Sequence, residues 1–111
     1  FFAEGNYESI LKKYISRINH VHCKDIRKEI LNRSLSNDLS FRDSFLEGVF
    51  TVPGDGYINY KPLFETLYDN KYSKWLIVEA EQDPKKANPL KYAKIGYKYL
   101  NRILTEVGYR I

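Results

Sequence analysis

His20, Val21, His22, Cys23, Lys24 and Asp25 form one run, and Trp75, Leu76, Ile77, Val78, Glu79, Ala80 and Glu81 form another. Each reads as an apolar strand with proton-moving or metal-binding groups at its far end. Charge on a buried strand is costly unless it is paired, so two such strands point to one shared site. Side chains alternate along a strand, which puts His20, His22 and Lys24 on one face. The same parity puts Trp75, Ile77, Glu79 and Glu81 on one face of the second strand. Neighbouring parallel strands lie about 4.8 Å apart. At matching heights, the His22 imidazole and the Glu79 carboxylate would either share a divalent ion or form a hydrogen-bonded pair without one. Nitrogen plus carboxylate oxygen suits Mn²⁺, Co²⁺, Fe²⁺ or Zn²⁺ more than Ca²⁺. Two ligands are too few for a tight site, so the remaining donors are expected from elsewhere.

The neighbouring polar residues each have two readings. Lys24 either contacts a substrate oxygen or enolate, or forms a salt bridge with Asp25 or Glu79. His20 lies deeper and is either a substrate contact or a satisfied core histidine. Glu81 and Asp83 stand at the rim, touching substrate or only solvated. Arg27 falls in the first turn of an expected helix, where solvated surface is the default. Cys23 alternates with the histidines and should face away from them as a packed thiol.

These residues need elements to hold them. Apolar positions Tyr7, Ile10, Leu11, Tyr14, Ile15 and Ile18 have helical spacing, and Asn6 can cap a helix over residues 7–17. A strand is expected over 18–24. Asp25 then suits the N-cap of a helix carrying Ile26, Ile30, Leu31 and Leu35, with a turn over 34–38. Ser40, Phe41, Arg42 and Asp43 resemble a capping box, opening a short helix that ends near Gly48. Residues 49–59 read as a loop around Pro53, Gly54, Asp55 and Gly56, either a plain turn or an active-site rim. A helix is expected over 60–69, with Tyr60, Leu63, Phe64, Leu67 and Tyr68 on one face. The second strand follows over 75–80 and a loop over 82–87. Asn88 caps a last helix with Pro89 in its first turn and Leu90, Ala93, Tyr97, Leu100, Leu104 and Val107 as its stripe. Gly108 ends it. Strands alternating with helices imply a parallel sheet covered on both faces. Two strands cannot make such a sheet alone. Either the chain self-associates, or it is the C-terminal part of a larger α/β domain, which is the expectation.

Composition narrows the partners. The chain has 111 residues, 29% charged and 43% hydrophobic, with a formal net charge of +4. The lysines and arginines are scattered over expected helix surfaces, so nucleic acid is not an expected partner. No stretch has the roughly 18 apolar residues of a membrane span. The single cysteine, Cys23, cannot form an internal disulfide, which fits a reducing, cytoplasmic setting. The chain starts with Phe1 rather than Met, as a piece of a longer protein would.

The first run, the segment from Gly48 through Pro53 to Gly56, and the run from Trp75 through Glu79, Glu81, Gln82 and Asp83 to Pro84 together resemble the C-terminal third of the myo-inosose-2 dehydratases. The tail Ala87, Asn88, Pro89, Leu90, Lys91, Tyr92, Ala93 with Gly96 and Tyr97 fits too, so the resemblance covers essentially the whole chain. The glycine loop and the Glu79 to Pro84 run are its most specific parts. The HxH strand is shared more widely among xylose-isomerase-like barrels. The resemblance implies a (β/α)₈ TIM barrel of which this chain holds the last two βα units. It implies a divalent metal, Mn²⁺ or Co²⁺, held by Glu, Asp, His and Glu from four strands. The His falls on His22 and the last Glu on Glu79. The Asp is expected just before the segment matching Phe1, Phe2 and Ala3, so the piece alone is expected to be inactive.

The implied reaction is dehydration of 2-keto-myo-inositol (scyllo-inosose) to a trihydroxycyclohexane-1,2-dione in inositol catabolism. In it Lys24 and Glu79 are the candidate catalytic groups. His20, Lys24 and Glu81 are candidate substrate contacts. A ketose epimerase or isomerase on the same barrel would share His22 and Glu79 and differ in its loops. A metal-dependent DNA-repair phosphodiesterase would need more ligands and a clustered basic groove, and neither is in the sequence. An inactive remnant is the third alternative.

Overall fold

A computed structural model describes residues 5–111. Phe1, Phe2 and Ala3, and the expectation attached to them, lie outside the described residues. Helix α1 (Tyr7–Tyr14) runs into a 3₁₀ turn (Ile15–Arg17). Strands β1 (His20–Cys23) and β2 (Asp25–Ile26) follow, then α2 (Lys28–Ser36), α3 (Phe41–Leu46) and β3 (Phe50–Thr51). Helix α4 (Lys61–Asp69), strand β4 (Trp75–Val78) and helix α5 (Pro89–Val107) complete the order.

The caps explain several boundaries. Asn6 accepts from the Ser9 amide at 3.0 Å, Ser40 from Asp43 at 3.1 Å, and Asn88 from Lys91 at 3.0 Å. Each side-chain oxygen thus satisfies an amide that the first helical turn leaves without a backbone partner. Gly108 ends α5 in a left-handed conformation.

Strands β1 and β4 pair in parallel, with His20 opposite Trp75, His22 opposite Ile77 and Cys23 opposite Val78. The Glu79 amide extends the ladder by donating to the Cys23 carbonyl at 3.0 Å. Both strands are shorter than expected, ending at Cys23 and Val78. The outward face of the pair, with Val21, Cys23, Leu76 and Val78, packs under the helices. There Leu11 of α1, Phe64 and Leu67 of α4, and Leu100, Ile103 and Leu104 of α5 form the main core. Phe64 and Leu67 are fully buried, each contributing about 1.5–3 kcal/mol of hydrophobic stabilisation. Cys23 sits in this core as expected, and burial pushes its thiol up to about 12. Two tyrosines tie the core to the strands. Tyr60 donates to the Lys24 carbonyl at 2.5 Å, and Tyr72 to the Trp75 carbonyl at 2.9 Å.

Among the described residues one face of the strand pair is uncovered. His20 and His22 are exposed and Trp75 is 71% exposed. Two strands provide one layer, and among the described residues no second layer faces it. The same narrowness leaves the ends of the helical stripes open. Ile10, Tyr14, Leu35, Tyr68, Leu90 and Tyr97 are exposed rather than buried.

Asp25 is the second correction. It caps no helix: α2 begins at Lys28, and its N-cap residue Arg27 makes no side-chain cap bond. Instead Asp25 and Ile26 pair antiparallel with Thr51 and Phe50, within what reads in sequence as plain loop. The buried Asp25 carboxylate accepts from the amides of Ile26 (2.8 Å), Ile58 (3.0 Å) and Gly54 (3.3 Å). An oxygen pair that suits helix amides is used here to gather the amides of the glycine loop. Gly54 has φ +88°, and a Cβ there would meet the Tyr99 side chain. A Cβ on Gly56 would overlap the Asp25 carboxylate and approach the Ile26 carbonyl to 2.7 Å.

Two outcomes follow for the complete protein. Gly56→Ala should destabilise it by about 1–3 kcal/mol, because carboxylate and backbone must both shift; urea unfolding measures this. Asp25→Asn keeps one acceptor oxygen and loses the other, at a cost of about 1–3 kcal/mol. Burial raises the Asp25 pKa above 3.8, against the pull of the amides of Ile58, Ile26, Gly54 and Tyr57. The native state therefore holds a proton that the unfolded chain has already released. The wild-type advantage over Asp25→Asn should shrink as pH rises from 3.8 through the native value. Unfolding curves at several pH values check the sign, and a growing advantage would contradict it.

Candidate active site

The site lies where β1 and β4 end side by side. Parallel pairing in register puts His22 and Glu79 on the uncovered face, with Glu79 two residues beyond Ile77, the partner of His22. His22 Nδ1 and Glu79 Oε2 are 3.3 Å apart. Lys24 Nζ lies 2.9 Å from Glu81 Oε2 and 3.6 Å from Glu79 Oε1. Four residues expected to share a site are thus linked in sequence: His22 to Glu79, Glu79 to Lys24, Lys24 to Glu81. The ammonium also stands 6.0 Å from the centre of the Phe50 ring.

Lys24 makes the salt bridge to Glu79, and a closer one to Glu81. It makes none with Asp25, which is engaged with the glycine loop on the other side of the chain. The side chains are accessible: His22 is 55% exposed, Lys24 34%, Glu79 32% and Glu81 44%. At that exposure each ion pair contributes about 0–1 kcal/mol. The strands hold the cluster; the cluster does little to hold the strands.

His20 is on the same face, two residues deeper and opposite Trp75. It makes no hydrogen bond to Glu79 or Lys24, so it stands apart from the linked four. Asp83 faces its own loop, where its carboxylate accepts from the Lys85 amide at 2.9 Å.

The donor set fits a divalent ion. Two atoms each about 2.1 Å from one ion lie roughly 3.0–3.4 Å apart at octahedral to tetrahedral angles, and the His22–Glu79 separation falls in that window. No group of three or more His, Cys, Asp or Glu able to hold a metal occurs among the described residues. The described residues thus bring two possible donors together, His22 and Glu79.

The sequence reading misses a second set of polar residues. Arg27 is not solvated surface. Its Nη2 donates to Asp55 at 2.7 Å and to Thr51 Oγ1 at 3.1 Å, and its Nη1 to the Gly48 carbonyl at 2.6 Å. Gln82 Nε2 reaches the same Thr51 hydroxyl at 3.3 Å. The placement of Asp55 between two glycines was a signal for part of this set. Nothing in the local pattern around Arg27 pointed to it, because its partners lie more than twenty residues away.

Comparison with known proteins gives the family. A family model described as xylose isomerase-like TIM barrel matches residues 1–109. An inosose dehydratase of Bacillus licheniformis is 50% identical over 107 residues, covering 96% of this chain and 36% of that protein. An inosose dehydratase of Mesomycoplasma hyopneumoniae is 56% identical over 96 residues, covering 86% and 32%. The rhizopine catabolism protein MocC of Rhizobium meliloti is 46% identical over 110 residues, covering 99% and 34%. The chain spans about a third of the length of these curated relatives. No helix among the described residues is long and apolar enough to cross a membrane. Active groups of parallel barrels gather at the carboxyl ends of the strands, which is where His22, Lys24 and Glu79 stand. With the match running from residue 1 to 109, the chain belongs to the xylose isomerase-like TIM barrel family.

Proposed function

We propose that the protein carrying this chain is a divalent-metal-dependent dehydratase of 2-keto-myo-inositol, acting in inositol catabolism. The observation that carries the reading is the 3.3 Å juxtaposition of His22 Nδ1 and Glu79 Oε2 at the ends of adjacent parallel strands. The relatives named inosose dehydratases, at 45–56% identity, direct it to this substrate. Strands β1 and β4 are then the last two strands of the barrel, and the other ligands come from earlier strands. The mixed nitrogen and oxygen donors suit Mn²⁺ or Co²⁺, and the buried lone thiol suits the cytoplasm.

A ketone acidifies the hydrogen on its α-carbon. Loss of that proton, followed by departure of the β-hydroxyl as water, leaves the enol of a 1,2-dione. A divalent ion held by His22 and Glu79 supplies Lewis acidity toward substrate oxygens. Glu79 is also the candidate base, since one carboxylate oxygen meets His22 and the other faces the Lys24 side. Lys24 carries three N–H donors, and two carboxylates hold it at the site. It can present the remaining donor to an oxygen that gains negative charge as the proton leaves. Glu81 fixes Lys24 and stands within reach of a polyhydroxylated ring at the rim. His20, deeper on the same face, is a contact for the far side of the substrate. The loop over 52–56 borders the opening.

Glu79→Gln in the complete protein should lower dehydration of 2-keto-myo-inositol by about 10²–10⁴-fold and deplete bound metal, read by turnover and metal analysis. Near wild-type turnover with full metal content would end this reading. Lys24→Met should lower kcat by about 10²–10³-fold with metal content preserved; an unchanged kcat would remove Lys24 from the reaction. Assay of ketoses beside the inosose, with product analysis, separates this activity from epimerisation or isomerisation on the same barrel.

A further inference from the structure

Arg27 is 26% exposed, and both of its terminal nitrogens donate inside the protein. One nitrogen, Nη1, donates to the Gly48 carbonyl at 2.6 Å and lies 3.3 Å from the Phe50 carbonyl. The other, Nη2, donates to Asp55 and Thr51, and the Tyr92 hydroxyl of α5 is 3.5 Å away. The Thr51 hydroxyl gives its proton to Asp55 Oδ2 at 2.6 Å, so its lone pairs accept from Arg27 and from Gln82. Gln82 directly follows Glu81. Its Oε1 is buried without a partner among the described residues, so the Thr51 bond is the side-chain tie that anchors it. One planar guanidinium therefore joins the glycine loop to the segment that follows β4.

We infer that Arg27 is a positioning residue for the active-site rim. Acting through Thr51 and Asp55, it fixes the 80–83 segment, and with it Glu81 and Lys24, over the His22–Glu79 pair. A lysine cannot replace it, because a point charge cannot serve carbonyls, hydroxyl and carboxylate at once. The catalytic consequence rests on the dehydratase reading above; the structural consequence does not.

The test uses Arg27→Lys and Thr51→Val in the complete protein. Backbone amide order parameters are read over 80–83 and hydrogen exchange over β1, β4 and Glu79, together with metal affinity, KM and kcat. Both variants should lower the order of 80–83 and leave β1, β4 and the Glu79 amide protected. Metal affinity should hold, since His22 lies on β1 and the Glu79 amide stays bonded to the Cys23 carbonyl, while kcat falls roughly 10- to 100-fold. The double variant should lose less than the product of the two single losses, because both act along one chain of contacts. Unchanged order in 80–83, or loosening spread evenly over the fold, would overturn the inference. If Arg27→Lys does not fold, Thr51→Val alone decides by the same criterion. A wild-type protein without dehydratase activity would defeat the earlier reading, and the order measurement would still decide this one.

Discussion

Parallel pairing of β1 with β4 cannot be made by a tight turn; the chain must travel back along the sheet before the second strand starts. Everything between Lys24 and Lys74 serves that return. Helix α4 covers the outward face with Phe64 and Leu67, and α5 completes the cover after β4. The register of the pair is a tight constraint. A slip of one residue would turn every side chain to the opposite face, sending Glu79 into the apolar core and breaking its approach to His22. The burial of Cys23 and Val21 under the helices thus also keeps His22 pointing out.

The return path is not inert. Its β2–β3 bridge and glycine loop close around the buried Asp25 carboxylate, a position that only short amide contacts make tolerable. Gly54 and Gly56 are required there by neighbours rather than by flexibility: Tyr99 crowds one and Asp25 the other. The loop stands beside the strand ends because Asp25 follows β1 by two residues. Arg27 then couples it to the segment after β4. Rim and strands are in this way built from one continuous set of contacts, with the charges of the site on the open side and the Arg27, Thr51 and Asp55 contacts behind.

Much of this was legible in the residues. The alternation of His20, His22 and Lys24 with Val21 and Cys23 fixed which side chains share a face. The match of that parity with Ile77, Glu79 and Glu81 pointed to the meeting of His22, Lys24, Glu79 and Glu81. Asn6, Ser40, Asn88 and Gly108 set helix ends through local hydrogen bonds, which sequence records well. Asp25 was misread for the same reason. An aspartate ahead of a helical pattern is a good cap by local rules, and only contacts with residues 54–58 give it another use.

The sequence by itself determined the order of the five helices and the two longer strands, the strand parity, and the caps at Asn6, Ser40 and Asn88. These depend on short-range periodicity and on chemistry carried by single side chains. The tertiary structure alone decided the residue-by-residue register of β1 against β4, the β2–β3 bridge, that Lys24 pairs with Glu81 more closely than with Glu79, and that Arg27 turns inward. Each depends on groups far apart in the chain, whose meeting is set by packing and by the need to satisfy buried polar atoms. Local patterns carry no record of that.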